Sequence, residues 1–295
     1  MRSLARPAER QQQKWTAAAM AMELLYTSAP RGLKPGAHGF CTVLLTAAMP
    51  RDLAARLELI SGYRPLFPPG HPRWAESPVA HAHLHLRLGS ATHTVLSRIQ
   101  LYGLDHSNRP NTLAHHLVLD AHERAPGGPA AMLRAPEVMR CRWDGVPAVV
   151  PSASPAGIIG SATDVPPGPW GELDTEAGAA AAAARCPEWI KVTGSPRGAL
   201  KLARRFSAAP DHRAYLIFEP GMELLPLLDE AAQLLPAALR WQVTFNTYFT
   251  TAPAAATCAW RGVAAGTREA AVARSARDAV VIDLTEAPSA GAPLS

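Results

Sequence analysis

The chain has 295 residues, 48 % of them apolar, and its 28 prolines are about twice the roughly 5 % share of an average protein. That apolar content excludes wholesale disorder, and the length allows one large domain or two ordinary ones. The formal charge of +5 invites a nucleic-acid reading, but the arginines are scattered rather than gathered on one stripe, so no nucleic-acid partner is expected. Arg2, Arg6 and Arg10 form the nearest thing to a basic arm.

Residues 1–19 are polar and carry no apolar core of a signal peptide, and no run of 18 or more apolar residues is present to cross a bilayer. A cytoplasmic protein without membrane contact is expected, its first 19 residues a flexible extension. From Glu23 the pattern sharpens. Glu23–Ser28 and Phe40–Thr46 read as strands, with Pro35 and Gly36 supplying the break between them. Pro50 opens a helix whose Leu53, Leu57 and Ile60 share one face, and Gly62 is placed to cap it in the left-handed region. Residues 65–78, rich in proline, are loop.

Ala82, Leu84, Leu86 and Leu88 then alternate with His81, His83, His85 and Arg87 up to Gly89-Ser90, and a second run follows over Ala91–Ile99. A two-residue turn beginning with Gly predicts a hairpin. Leu113–Leu119 is a strand or a short helix. Residues 144–184 break the pattern with repeated proline, alanine and glycine and read as a linker. Beyond it, Arg213–Glu219, Trp241–Phe249, Cys258–Val263 and Ala279–Leu284 read as strands, with helices over Ala199–Phe206, Glu223–Leu235 and Thr267–Asp278. The expectation is an α+β protein: residues 20–143 a mostly antiparallel sheet with helices, residues 185–286 a mixed α/β layer, and 287–295 a tail.

Cys41, Cys141, Cys186 and Cys258 contain no C-x-x-C pair that would suggest zinc or redox chemistry. There is no G-x-S-x-G elbow, Walker A loop or G-x-G-x-x-G, and the turn over residues 194–198 reads as an ordinary helix start. His81, His83 and His85, at period two, point to one face of a strand. Thr92, Thr94 and Arg98 fall on the same side if the hairpin register holds, which makes a solvated polar face the plain reading. The same histidines carry the alternative, a metal-binding hydrolase or nuclease. His83-Leu84-His85 also resembles the His-hydrophobic-His strand of rolling-circle nucleases, in which Tyr102 would stand for the nucleophile. The stretch from Arg98 to Asp120 concentrates every hydrogen-bonding type, and Arg98, Asp105, Arg109, Asn111, His115 and His116 are the candidate ligand or partner contacts. In the run Trp241–Phe249, the residues Gln242, Thr244, Asn246 and Tyr248 share a face that would line a pocket against that stretch.

Residues 26–32, Tyr-Thr-Ser-Ala-Pro-Arg-Gly, and Gly39-Phe40-Cys41-Thr42-Val43 resemble the opening of the N-terminal domains of bacterial GTPase-associated accessory proteins of NTP-dependent conflict or signalling systems. Arg109-x-Asn111-x-x-Ala114-His115 is similar to that family's Arg-x-Gly-Asn-x-(aromatic)-Ala-His motif. Pro110 takes the place of the glycine and Leu113 that of the aromatic residue. The resemblance spans about residues 22–120 and implies a non-catalytic accessory or adaptor protein, with a GTPase or other NTPase as partner and no cofactor.

Overall fold

The computed structural model describes residues 21–152, 182–251 and 256–286. The expected extension (1–19), most of the expected linker and the expected tail (287–295) lie outside them. The described strands form one 11-stranded sheet, in the order Val280–Asp283, Ala214–Phe218, Trp260–Ala264, Phe245–Asn246, Ala80–Leu88, Ala91–Leu104, Pro110–Leu119, Met22–Ala29, Gly39–Thr46 and Ala148–Val150, with Ala256–Thr257 paired to Ala80–Leu88. The α+β expectation holds: the first half of the chain contributes antiparallel strands and the second a parallel α/β layer.

In the first half, β1 (Met22–Ala29) lies between β2 (Gly39–Thr46) and β5 (Pro110–Leu119), antiparallel to both. β3 (Ala80–Leu88) and β4 (Ala91–Leu104) form the hairpin expected from Gly89, whose φ of 59° glycine adopts at no steric cost. α1 (Arg51–Ile60) begins after Pro50 and buries Leu53, Leu57 and Ile60 against Leu24, Leu84 and Val95 on one sheet face. Its end differs from expectation: Ser61, in the right-handed region, is the C-cap, and its N–H donates to the Glu58 carbonyl, so Gly62 supplies no left-handed turn. The short helix α2 (Gly128–Arg134) lies on the other face, and β6 (Ala148–Val150) adds a parallel edge strand beside β2. That edge strand falls inside the stretch whose composition marks it as linker; three residues are too few for alternation to register.

The second half begins with α3 (Pro187–Thr193), closed by Gly194 in the left-handed region, and α4 (Arg197–Ala208). β7 (Ala214–Phe218) leads through α5 (Leu225–Gln233) and α6 (Ala237–Arg240) to β8 (Phe245–Asn246). After β9 (Ala256–Thr257), β10 (Trp260–Ala264) leads through α7 (Arg268–Ser275) to β11 (Val280–Asp283). β11, β7, β10 and β8 are mutually parallel, and β8 joins the halves by pairing antiparallel with β3, Ala82 opposite Asn246 and His83 opposite Phe245.

The expected strand over 241–249 is therefore only two residues long. Trp241 closes α6, and the carbonyls of Trp241 and Val243 are bonded by the imidazoles of His85 (3.1 Å) and His83 (2.7 Å) instead of by a neighbouring strand. Gly262 accounts for the close approach here, because a Cβ on it would lie 2.2 Å from the Thr247 carbonyl oxygen. The largest core is shared between the halves: Leu96, Leu117 and Met132 belong to the same cluster as Trp189, Phe206 and Trp260.

Candidate functional site

β5 decides where most of the candidate residues go. Both His115 and His116 are fully buried, and as strand neighbours they face opposite sides of the sheet. On the α1 side, the Ser61 hydroxyl donates to the Leu57 carbonyl and therefore accepts from His116 Nε2–H (2.9 Å). His116 Nδ1 then accepts from the Ser97 hydroxyl (2.7 Å). Both ring nitrogens are satisfied in one neutral tautomer. Burial, with His115 adjacent, pushes His116 down to about 3.

On the other side, His115 stands across from Leu25 of β1, next to Glu23, which is also fully buried. The backbone N–H of Arg140 donates to His115 Nδ1 (2.9 Å), so Nε2 carries the proton and donates to Glu23 Oε2 (3.1 Å). The Arg140 guanidinium completes the group, with Nε to Oε2 at 2.8 Å and Nη2 to Oε1 at 3.0 Å. Burial pushes the Glu23 carboxyl up, but the bonds and charges of His115 and Arg140 outweigh it and hold the group down to about 2. His115 is itself shifted down by burial against the opposing pull of Glu23. This is a closed triad: carboxylate, neutral imidazole and guanidinium satisfy one another.

A second hub sits where β1 meets the β4–β5 turn. Asn111 acts as a piece of backbone toward Ser28: Oδ1 accepts from its N–H (2.9 Å) and Nδ2 donates to its carbonyl (3.2 Å). Asp105 Oδ1 accepts the backbone N–H groups of Ser107 (2.8 Å) and Arg109 (3.0 Å). Its Oδ2 accepts the Ser28 hydroxyl (2.8 Å) and Arg109 Nη2 (3.2 Å). The Arg109 N–H leads these influences in holding Asp105 far below the ordinary carboxylate range. Asn108, with φ 59°, turns the chain between them. The Arg109 side chain remains 65 % exposed, whereas Asp105 and Asn111 are buried.

The β3 histidines do share one face with Thr94 and Arg98, as the hairpin register requires. That face is covered around His83 and Thr94 and exposed only at its Arg87–Thr92 end. His83 is fully buried, its Nδ1–H on the Val243 carbonyl and its ring edge-on to Trp241 and His85. Burial pushes His83 down to about 3 and His81 down to about 4. His83 and His85 serve as donors to the carbonyls that the second half brings over them. Among the described residues no group of three or more His, Cys, Asp or Glu is placed to hold a metal ion. Tyr102, the nucleophile of the nuclease resemblance, instead bonds the backbone N–H (3.0 Å) and carbonyl (3.2 Å) of Trp143.

Arg98 has a different setting. It pairs across β4 with His81 on one side and His115 on the other. With the segment from Leu133 to Cys141 and the loop after β7, it lines a cleft of about 570 Å³. Phe218, Leu225 and Met139 supply apolar walls, and Arg134 is tied back to Asp229 at 2.7 Å. Arg98 Nη1 is enclosed and has no hydrogen-bond partner among the described residues. Thr247, one residue beyond β8, lines this cleft. Asn246 and Tyr248, on the alternate face, line a second one of about 390 Å³ with Ser97 and Tyr63.

Residues 20–155 match the model of the N-terminal domain, type 2, of GTPase-associated protein 1, and residues 186–286 match the middle domain of the same protein. No curated protein and no solved structure matches the chain. Two successive domains of one family, in order and over most of the sequence, fit the single sheet that both build: the chain belongs to the GTPase-associated protein 1 family.

Proposed function

We propose that this chain is a non-catalytic accessory protein that works with a GTPase-type NTPase in a bacterial conflict or signalling system in the cytoplasm. One observation carries the non-catalytic reading. The groups that could resemble catalytic machinery, Glu23 with His115 and Asp105 with Ser28, are buried and have their hydrogen-bonding capacity taken up by one another and by the backbone. A general base needs a free lone pair within reach of a substrate proton, and His115 Nδ1 is occupied by the Arg140 N–H. The polar motif over residues 105–115 thus builds a rigid turn that presents the exposed Arg109 guanidinium, and the family name supplies the GTPase context.

The test is co-purification of the tagged chain with the products of the neighbouring genes, among which a GTPase is the expected partner. Retention is expected to fall by about tenfold or more in Arg109→Glu, since reversing a charge at a contact adds repulsion to the lost attraction. Unchanged retention in Arg109→Glu, with circular dichroism confirming the fold, removes that turn from the contact. Turnover of a nucleoside triphosphate by the isolated chain overturns the non-catalytic reading.

A further inference from the structure

We propose that the cleft between the start of β3, the middle of β4 and the loop after β7 binds a small organic anion, an apolar body bearing one carboxylate or phosphate that docks on Arg98. The volume of about 570 Å³ falls within the roughly 300–1,000 Å³ of small-molecule sites. Its composition has the same character, apolar walls from Phe218, Leu225 and Met139 with a few polar groups among them. Arg98 Nη1 is shut off from solvent without a hydrogen-bond partner among the described residues. A guanidinium stays charged at any ordinary pH, and its planar fork matches an oxyanion bidentately, so Arg98, which lines the cleft, offers a carboxylate or phosphate a charge-assisted contact.

The location follows the rule for open parallel sheets. β7 sends its connection to one face through α5, whose Leu227 and Leu228 pack with Leu216 and Phe218. Its neighbour β10 sends its connection to the opposite face through α7, whose Ala270 and Ala273 pack with Tyr215 and Ile217. Ligand crevices open at the carboxyl ends of such strands, where successive connections diverge. The cleft begins there, at Phe218 and the loop from Gly221 to Pro226.

The charges select among anions. Arg134, on the far wall, already pairs with Asp229. His81, beside Arg98, is held neutral at pH 7 by burial and by Arg98 itself. Two exposed carboxylates also line the cleft, but Glu76 is tied to Arg73 at 2.8 Å, which leaves Glu223. One unpaired guanidinium with one exposed acid at the rim suits a single oxyanion and repels a polyphosphate.

Titration calorimetry of the full chain with phenyl phosphate and with phenylacetate tests this directly. Saturable binding with Kd of ~0.1–1 mM is expected for both, the range of a single charge-assisted contact with modest apolar burial. Arg98→Met should weaken binding by about tenfold or more, and Arg98→Lys, which keeps the charge and loses the fork, by an intermediate factor. Met222→Trp, which fills the cleft and leaves Arg98 in place, guards against a folding artefact: it should abolish binding with an unchanged unfolding temperature. Equal affinity in Arg98→Met, equal binding of benzyl alcohol, or no saturation by about 10 mM would each overturn the site. GTP binding more tightly than phenyl phosphate would overturn the single-anion selection. All of these titrations omit the GTPase, so their outcome is separate from that of the co-purification.

Discussion

At the scale of single residues, Glu23 shows how a buried charge is made tolerable and when it ceases to be. Its carboxylate accepts from His115 and twice from Arg140, and it ionises near 2 instead of 4.5. Such a lowered value stabilises the fold above the ordinary carboxylate range, and that stabilisation is lost as pH falls from about 4.5 toward about 2. Glu23→Gln keeps the shape but strands the Arg140 guanidinium. Breaking a fully buried pair costs about 3–5 kcal/mol. Arg140 keeps 35 % of its side-chain exposure, so water takes up part of the loss and about 2 kcal/mol is expected. Urea midpoints of wild type and Glu23→Gln should differ most near neutrality and converge below about pH 3; a gap that persists there would show that shape, not charge, holds the site. Asn111 offers an uncharged counterpart. Asn111→Ala leaves the Ser28 N–H and carbonyl without partners inside the protein, a loss of about 1–3 kcal/mol, measurable as a shift in urea midpoint at any pH.

At the scale of elements, β3 carries the clearest consequence. His83 on β3 and His116 on β5 titrate near 3 because burial disfavours their charged forms, while their unfolded values lie near 6.5. The unfolded chain therefore binds protons first as pH drops, and stability falls from about pH 6.5 downward at up to about 1.4 kcal/mol per pH unit for each histidine. Unfolding free energies measured between about pH 7 and 5 should show this slope, and His116→Gln should remove about one proton's share of it. A flat profile would mean that both rings are solvated in the native state. The period-two pattern of β3 was legible in the sequence, as were β1, β2 and the Gly89 turn, because alternation and turn chemistry are local. What covers the histidines was not legible, since Trp241 and Val243 reach them from about 160 positions away. Helices of seven residues, Gly128–Arg134 and Pro187–Thr193, show too few turns for a 3.6 period to emerge. In the site, Arg98, Asp105, Arg109, Asn111, His115 and His116 stood out by type and density, yet Arg140 lies in a stretch without pattern. Glu23 did leave a trace: it shares parity with Leu25 and Thr27, which places a carboxylate on a core-facing row and calls for a buried partner.

At the scale of the molecule, the two family domains are joined by more than a connecting chain. β8 inserts residues of the second into the sheet of the first, against β3. The fully buried Arg240 donates to the Pro126 carbonyl at 3.0 Å, Trp241 Nε1 to the Ala125 carbonyl at 2.8 Å and Gln233 Nε2 to the Gly127 carbonyl, so the second half caps the backbone leading into α2. Gly128, with φ +86°, lets that backbone pass Arg240, whose Cβ would lie 3.0 Å from an added one. Separating the halves would expose Leu96, Leu117 and Met132 on one piece and Phe245 and Trp260 on the other, each buried side chain worth about 1.5–3 kcal/mol of transfer free energy. Neither half can lose its partner without losing part of its own core, so unfolding should be coupled. Scanning calorimetry of the full chain should give one transition with calorimetric and van't Hoff enthalpies in agreement. Residues 20–155 alone should melt well below it and bind a hydrophobic dye. Two resolved transitions, with the isolated segment reproducing one of them, would show instead that the sheet is shared in geometry but not in energy.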